Sequence, residues 1–361
     1  MNRSEKIIPY TQLKNTGRKV LTQVIPLRKP FTVLIEPSSL CNFRCLQCFQ
    51  RLGGENYFTR TRMNMPMERF EKVLSQLKSW KGEKIKVLKL SLYGEPLMNP
   101  DFCEMVRLAV SSGVAERVET TSNVSLLDRE KARALVEAGL DYLRVSIYGA
   151  QEENHRRVTN SSFTPARIRE NLLVLLEERK KRNSLKPFVG AKMLDSFQEE
   201  NARFLEFFRD AADELYLDKP HTWIKVAGSD FLGEYYGKER EKAERMMEED
   251  DNSSHVCPMA FTTMAVRANG DVSPCCVDFI GGTNLGNMEE KTLQELWEGE
   301  EFLSFQKLQL ERRKKENSSC AKCDICRSAH YTRDNIDSFS VEQLLEGRKK
   351  LNWKNGDKSH A

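Results

Sequence analysis

Three cysteines fall close together, Cys41, Cys45 and Cys48, with spacing Cys-x3-Cys-x2-Cys. They follow an apolar run over residues 31–36 that reads as a buried strand, so the thiols belong to a loop just past a strand end. Three soft thiolates suit an iron–sulfur cluster, and four would close it. With three, one iron keeps an open position for a ligand that is not protein. A structural zinc site would want a fourth Cys or His close by. None follows; the nearest His is His155. A chance cysteine cluster or a zinc loop is the plain alternative. A second group lies far downstream: Cys257, Cys275, Cys276, Cys320, Cys323 and Cys326. Residues 265–273 read as a hairpin with an Asn269-Gly270 turn, which could bring thiols from either side of it to one metal. Cys103 stands apart in a helical pattern and reads as a core thiol.

The first motif resembles the cluster motif of the radical S-adenosylmethionine (radical SAM) enzymes. In that family three cysteines hold a [4Fe-4S] cluster, and the amino and carboxylate groups of SAM chelate the fourth iron. The usual aromatic residue before the last Cys is here Gln47, with Phe49 on the other side. Tyr93, Gly94, Glu95 and Pro96 resemble the family's Gly-Gly-Glu-Pro loop, with Tyr93 in place of the first Gly. The resemblance implies that this loop receives the amino group of SAM, with Glu95 an acceptor for the ammonium. Ser122 and Asn123 stand where relatives carry Thr-Asn-Gly, and Ser146 matches a family Ser that contacts the SAM ribose region. Relatives place an Arg for the SAM carboxylate where this chain has Thr159; Arg157 is the nearest substitute, since a guanidinium fork suits a carboxylate. Lys192 joins them if it faces the barrel interior. The bland readings are a turn for residues 93–96 and 121–123, and surface groups for Arg157 and Lys192.

Residues 251–330 resemble the SPASM/Twitch extension of radical SAM enzymes, from the order Cys, Gly-x4-Cys, Cys-x2-Cys. The resemblance implies one auxiliary [4Fe-4S] cluster on Cys257, Cys275, Cys320 and Cys323, with Cys326 the ready substitute and Cys276 packed in the core. A zinc ribbon on the same residues is the structural alternative. Asp278 is a candidate base, or a structural acceptor. The activity implied is reductive cleavage of SAM to a 5′-deoxyadenosyl radical that abstracts hydrogen from a substrate C–H bond. Three readings compete: a dehydrogenase acting on a sugar or cyclitol alcohol, a peptide-modifying maturase, and a non-catalytic metal-binding scaffold. The implied partners are a small-molecule or peptide substrate and an electron donor such as flavodoxin or ferredoxin.

The elements that must position these residues alternate. Strand signals fall at 31–36, 84–92, 117–121, 142–147, 188–193 and 214–217. Helical patterns fall at 67–80, 102–112, 128–138, from 164, and at 201–212. Six β/α units in series argue for an α/β fold, a partial (β/α)6 TIM-type barrel, followed by a small Cys-rich α+β domain. The divisions are an N-terminal extension at 1–30, the core barrel at 31–225, a charged linker at 226–250, the auxiliary-cluster domain at 251–335, and a C-terminal helix and tail at 336–361. The chain has 361 residues, enough for a large core. With 57 basic against 53 acidic residues the net charge is +4, which makes no strong case for nucleic acid or membrane. The N-terminus lacks an apolar signal core, so the expected compartment is the cytoplasm, where the ten cysteines are expected as free thiols or metal ligands, not disulfides.

Overall fold

The computed structural model describes residues 19–48, 50–51, 62–221, 230–251, 253–278, 281–323, 325–328 and 334–353. Phe49 and the first part of the charged linker lie outside them.

The strands are β1 (Thr32–Ile35), β2 (Ile85–Leu90), β3 (Ala115–Ser122), β4 (Tyr142–Ser146), β5 (Phe188–Leu194) and β6 (Glu214–Asp218), then β7 (Thr263–Val266) and β8 (Val272–Ser273). They form one sheet in the order β6-β5-β4-β3-β2-β1-β7-β8. Neighbours from β6 to β7 run parallel; β8 is antiparallel to β7. Among the described residues the edge strands β6 and β8 do not pair, so the barrel is open. The expected hairpin at 265–273 is therefore no separate layer: β7 continues the barrel sheet beside β1, in register Thr32↔Thr263 to Ile35↔Val266.

The helices are α1 (Met67–Ser79), α2 (Phe102–Ser112), α3 (Arg129–Ala138), α4 (Glu152–Thr159), α5 (Pro165–Lys181), α6 (Glu199–Phe207), α7 (Phe231–Tyr236), α8 (Arg240–Glu249), α9 (Met259–Thr262), α10 (Leu293–Glu298), α11 (Glu300–Leu310) and α12 (Val341–Lys350). Their ends carry local signals. Asp128 caps α3 through Lys131 N–H, and Thr164 caps α5 ahead of Pro165. Gly113 and Gly139 close α2 and α3 in the left-handed region, at φ 64° and 75°.

Alternation along the strands sorts the side chains. Val33, Ile35, Leu88, Leu90, Leu143, Val145, Val189 and Ala191 share one buried core with Phe70, Val106, Leu135 and Leu172 of the covering helices. The intervening residues Lys89, Ser91, Thr121, Arg144, Ser146 and Lys192 face a cavity inside the barrel. Parallel sheets covered on both faces are usually apolar on both. This one is apolar outward and polar inward, so its lumen is a binding chamber rather than a packed core.

Candidate active site

The cavity holds about 830 Å³, within the range of small-molecule sites. Its wall includes Cys41, Cys45 and Cys48 from the loop after β1, and Tyr93, Gly94 and Glu95 from the loop after β2. Ser122, Asn123, Ser146 and Lys192 follow from β3 to β5, and Cys276 and Val277 from the loop after β8.

Backbone and side-chain ties fix the cysteine loop. Arg44 N–H donates to Thr159 O and Leu46 N–H to Val158 O, both at 2.8 Å, which fastens the loop to the end of α4. The Phe43 ring packs edge-on against His155, at 5.8 Å between centroids. Gln50 Nε2 donates to Ser39 O at 3.0 Å and to Tyr93 O at 2.9 Å, bridging the first two loops. Gly94 is required here for close approach. A Cβ on it would stand 2.2 Å from Ser38 O and 2.4 Å from Leu40 O, beside the 2.8 Å bond from Glu95 N–H to Leu40 O.

Glu95 is buried, and its carboxylate accepts from Ser122 Oγ (2.6 Å), Asn123 N–H (2.8 Å) and Leu97 N–H (3.1 Å). Burial pushes its carboxyl up to about 7 against the pull of those three bonds. The expected role of open acceptor for an ammonium is thereby narrowed. Three of a carboxylate's roughly four acceptor positions are taken, two of them joining the β2 loop to the end of β3 and one closing the loop's own turn. Pro96 starts a short 3-10 turn and is buried behind the wall.

The expectations for Arg157 and Cys276 are corrected, and of the two readings of Asp278 its contacts favour the structural acceptor. Arg157 is exposed on α4, donates to Glu234 O at 2.9 Å and covers the Tyr235 ring; it does not line the cavity. The helical turn carries it outward, whereas the strand-borne cations Lys89, Arg144 and Lys192 line the wall. Asp278, the candidate base, is buried, accepts from Arg267 Nη2 at 2.8 Å, and is also bonded to Ser319 Oγ and Thr283 N–H. It is a structural acceptor behind the site. Cys276 is also not simply core: it lines the cavity next to Val277.

Sequence reasoning missed Lys89, Arg144 and the part of the linker that forms α8. Arg240, Glu244, Met247 and Glu248 of α8 line the cavity while Ala243 is fully buried. The signal was there: Ala243 and Met247 are four apart, and Lys89 and Arg144 stand two residues before Ser91 and Ser146.

The donor sets fit iron–sulfur clusters. Burial raises the thiols of all three barrel cysteines, Cys41 to about 12 and Cys48 to about 11, and for Cys41 and Cys45 the charges of neighbouring thiolates add to it. Three thiolates so placed call for positive charge among them, which irons supply. In the second group Cys257 feels Cys326, Cys323 and Cys320, and Cys275 feels Cys276, Cys257 and Cys323. Gln309 Nε2 donates to Cys320 Sγ at 3.5 Å and Lys314 Nζ to Cys326 Sγ at 3.3 Å, outer contacts of the kind that orient metal ligands. Among the described residues no three His, Cys, Asp or Glu side chains gather closely enough for one metal ion. A cubane spreads its thiolates more widely than a single zinc, since four irons stand between them. Among the described residues, too, no helix is long and apolar enough to cross a membrane.

A sequence model of the radical SAM superfamily matches residues 35–191, and one of the SPASM iron-sulfur cluster-binding domain matches residues 257–324. The GTP 3',8-cyclase of Aquifex aeolicus (strain VF5) is 27% identical over 199 residues, 53% of this chain; the chain spans only 58% of that protein's length. Among solved structures, BtrN in complex with AdoMet and 2-DOIA superposes with a TM-score of 0.52 at 17% identity, covering 86% of this chain and 98% of that one. Streptococcus suis SuiB bound to S-adenosylmethionine gives 0.59 at 17% identity, covering 85% and 74%. These two likenesses are of fold. The two domains imply a [4Fe-4S] cluster that binds SAM, SAM itself, and auxiliary iron–sulfur. The three-cysteine loop at the open end of a parallel barrel, with a second cysteine group behind it, belongs to a member of the radical SAM superfamily carrying a C-terminal SPASM domain.

Proposed function

We propose that the protein is a radical SAM oxidoreductase acting on a sugar- or cyclitol-like alcohol, with one auxiliary [4Fe-4S] cluster. The observation that carries this reading is the cavity itself. Cys41, Cys45 and Cys48 stand on its wall, and Cys276, neighbour of Cys275, stands on the wall as well. A substrate between the two cysteine groups would have an electron source and an electron acceptor on either side, as a two-electron oxidation needs. A [4Fe-4S] cluster held by Cys41, Cys45 and Cys48 would supply the electron for reductive cleavage of SAM, and with it the hydrogen-abstracting chemistry.

The chain's own residues do the rest. Cys41, Cys45 and Cys48 hold the cluster. Tyr93, Gly94 and Glu95, with Ser122, Asn123 and Ser146, form the wall that orients SAM; Gly94 and Pro96 shape that turn. Cys257, Cys275, Cys320 and Cys323 hold the auxiliary cluster, with Cys326 as the substitute. Apolar wall residues Leu34, Phe43, Leu46 and Phe231 help to exclude water from a reactive carbon. An external flavodoxin or ferredoxin in the cytoplasm serves as electron donor.

The second reading is a peptide-modifying maturase. It draws on Glu244 and Glu248, one turn apart on α8 and both on the cavity wall, which suit a basic peptide side chain.

Anaerobic reconstitution tests the proposal. About eight irons per chain and reductant-dependent release of 5′-deoxyadenosine are expected, falling to about four irons and no release in Cys41→Ala. Wild type with about four irons and no SAM cleavage would sink it.

A further inference from the structure

Three cations from three strands share the cavity wall: Lys89 of β2, Arg144 of β4 and Lys192 of β5. Lys89 and Arg144 each precede a wall serine, Ser91 and Ser146, by two residues. At about 3.3 Å per residue that sets their backbones about 7 Å deeper in the barrel than the strand ends that carry the SAM loops.

The acids that balance them do not reach the wall. Asp218 is fully buried behind it, and its Oδ2 accepts from Lys192 Nζ and, at 3.2 Å, from Arg144 Nη2. Glu119 is the register partner of Lys89 but is ion-paired to Arg117 at 3.0 Å. Among the described residues no ion pair holds Lys89, and Glu119 acts on it only at longer range. Of the acids on the wall, Glu95 is bonded to Ser122 and Asn123, and Asp230, Glu244, Glu248, Asp250 and Asp251 come from α8 and the residues flanking α7 and α8, not from the strands that carry the three cations. Side chains as buried as Lys192 and Arg144, 12% and 13% exposed, need compensating charge. Asp218 is shared by Arg144 and Lys192, and the buried Glu214 acts on Arg144 as well, but among the described residues no ion pair reaches Lys89.

We infer that Lys89, Arg144 and Lys192 form the floor of the substrate site and receive an oxyanion, carboxylate or phosphate, carried by the substrate. The inference rests on the proposed reading of the cavity as a substrate chamber. It adds that the substrate is anionic and enters with its charged group foremost. The other source of the same chemistry is the carboxylate of SAM, and the test separates the two.

The probe is inorganic phosphate, titrated calorimetrically into the full-length, anaerobically reconstituted protein, with and without saturating SAM. Phosphate is expected to bind alongside SAM. Lys89→Met is expected to raise its Kd about tenfold or more, and Lys89→Arg to hold it within about threefold. Iron content and SAM affinity are read on the same samples. No phosphate binding to wild type, binding indifferent to Lys89→Met, or one-for-one displacement by SAM would each overturn the inference; the last would assign the floor to the cofactor. Should circular dichroism show Lys89→Met misfolded, the competition on wild type decides alone. Phosphate binding is read without turnover. A protein that binds phosphate at Lys89 yet never cleaves SAM would therefore sustain the anion site and fail the functional reading.

Discussion

The guanidinium of Arg267 lies over the ring of Tyr93, 5.2 Å from its centroid. Tyr93 belongs to the loop after β2; Arg267 directly follows β7. Tyr93 also packs with Val277 and Ile325, and Cys257, Cys275, Cys276 and Cys323 pack against that cluster. One side chain of the loop after β2 is thus inserted into the second cysteine group. A glycine at this position could not make the contact. The two metal-binding regions of this chain are joined by packing as well as by the continuous sheet.

Arg267 and Asp278 form a buried pair, 2% and 1% exposed. Removing one partner strands the other, so Arg267→Met is expected to cost about 3–5 kcal/mol in denaturant unfolding. Tyr93→Ala is expected to cost about 3 kcal/mol. Because the two touch, the double variant should depart from additivity by about 0.5 kcal/mol or more. Strict additivity would refute the coupling.

Gly94→Ala puts a methyl group into the Ser38 and Leu40 carbonyls, which are backbone and cannot swing aside. The β2 loop must then retreat and the Glu95–Leu40 bond open. A loss of about 2 kcal/mol or more in stability is expected, together with a large loss of SAM affinity by equilibrium titration. Wild-type SAM binding in this variant would show that the loop does not hold SAM.

Much of the architecture was legible because local signals agreed with each other. The pattern at 102–112 with Gly113 as stop is the observed α2, and strands β1 to β6 fall within two residues of their apolar runs. The Cys spacing and the Gly94 turn located the chamber. What was not legible is what depends on tertiary placement. Nothing local says that β7 pairs with β1, or that Tyr93 reaches Arg267. Strand alternation could have exposed the charged lumen, yet Lys89 and Arg144 look like ordinary strand polar residues until the barrel curls around them. Arg157 looked like a carboxylate ligand by proximity in sequence, but helical geometry carries it outside. The charged linker looked solvated because its charge hides Ala243, the buried residue of α8.

The second cysteine group offers six sulfurs where four complete a cubane. Cys257 acts electrostatically with Cys320, Cys323 and Cys326, and also with Cys275, so it stands between the two subsets. Cys257→Ala is therefore expected to remove about four irons per chain. Cys276, turned to the cavity wall, is expected to leave the count unchanged when replaced by Ala. Iron assay with electron paramagnetic resonance of the reduced protein reads both. A Cys276→Ala protein short of one cluster would make Cys276 a ligand in place of its neighbour.

Lys192 carries a pH signature. Burial, helped by the charges of Arg144 and Lys89 and opposed by Asp218, pushes its ammonium down to about 8 from 10.5. Ser146 and Tyr216 are its register partners on β4 and β6. Between pH 8 and 10.5 the unfolded chain holds a proton that the native state has released, so Lys192 makes stability rise with pH across that window. Below about 8 both states are protonated, and the full penalty of the buried charge persists at neutral pH. Denaturant unfolding of wild type and Lys192→Met at pH 7.5 and 10.5 isolates the contribution, since other groups largely cancel in the difference. The wild type should gain on the order of 3 kcal/mol at most relative to the variant as pH rises. A difference that stays flat, or falls, would mean that Lys192 keeps its proton in the barrel at high pH, held by Asp218 more firmly than burial opposes it.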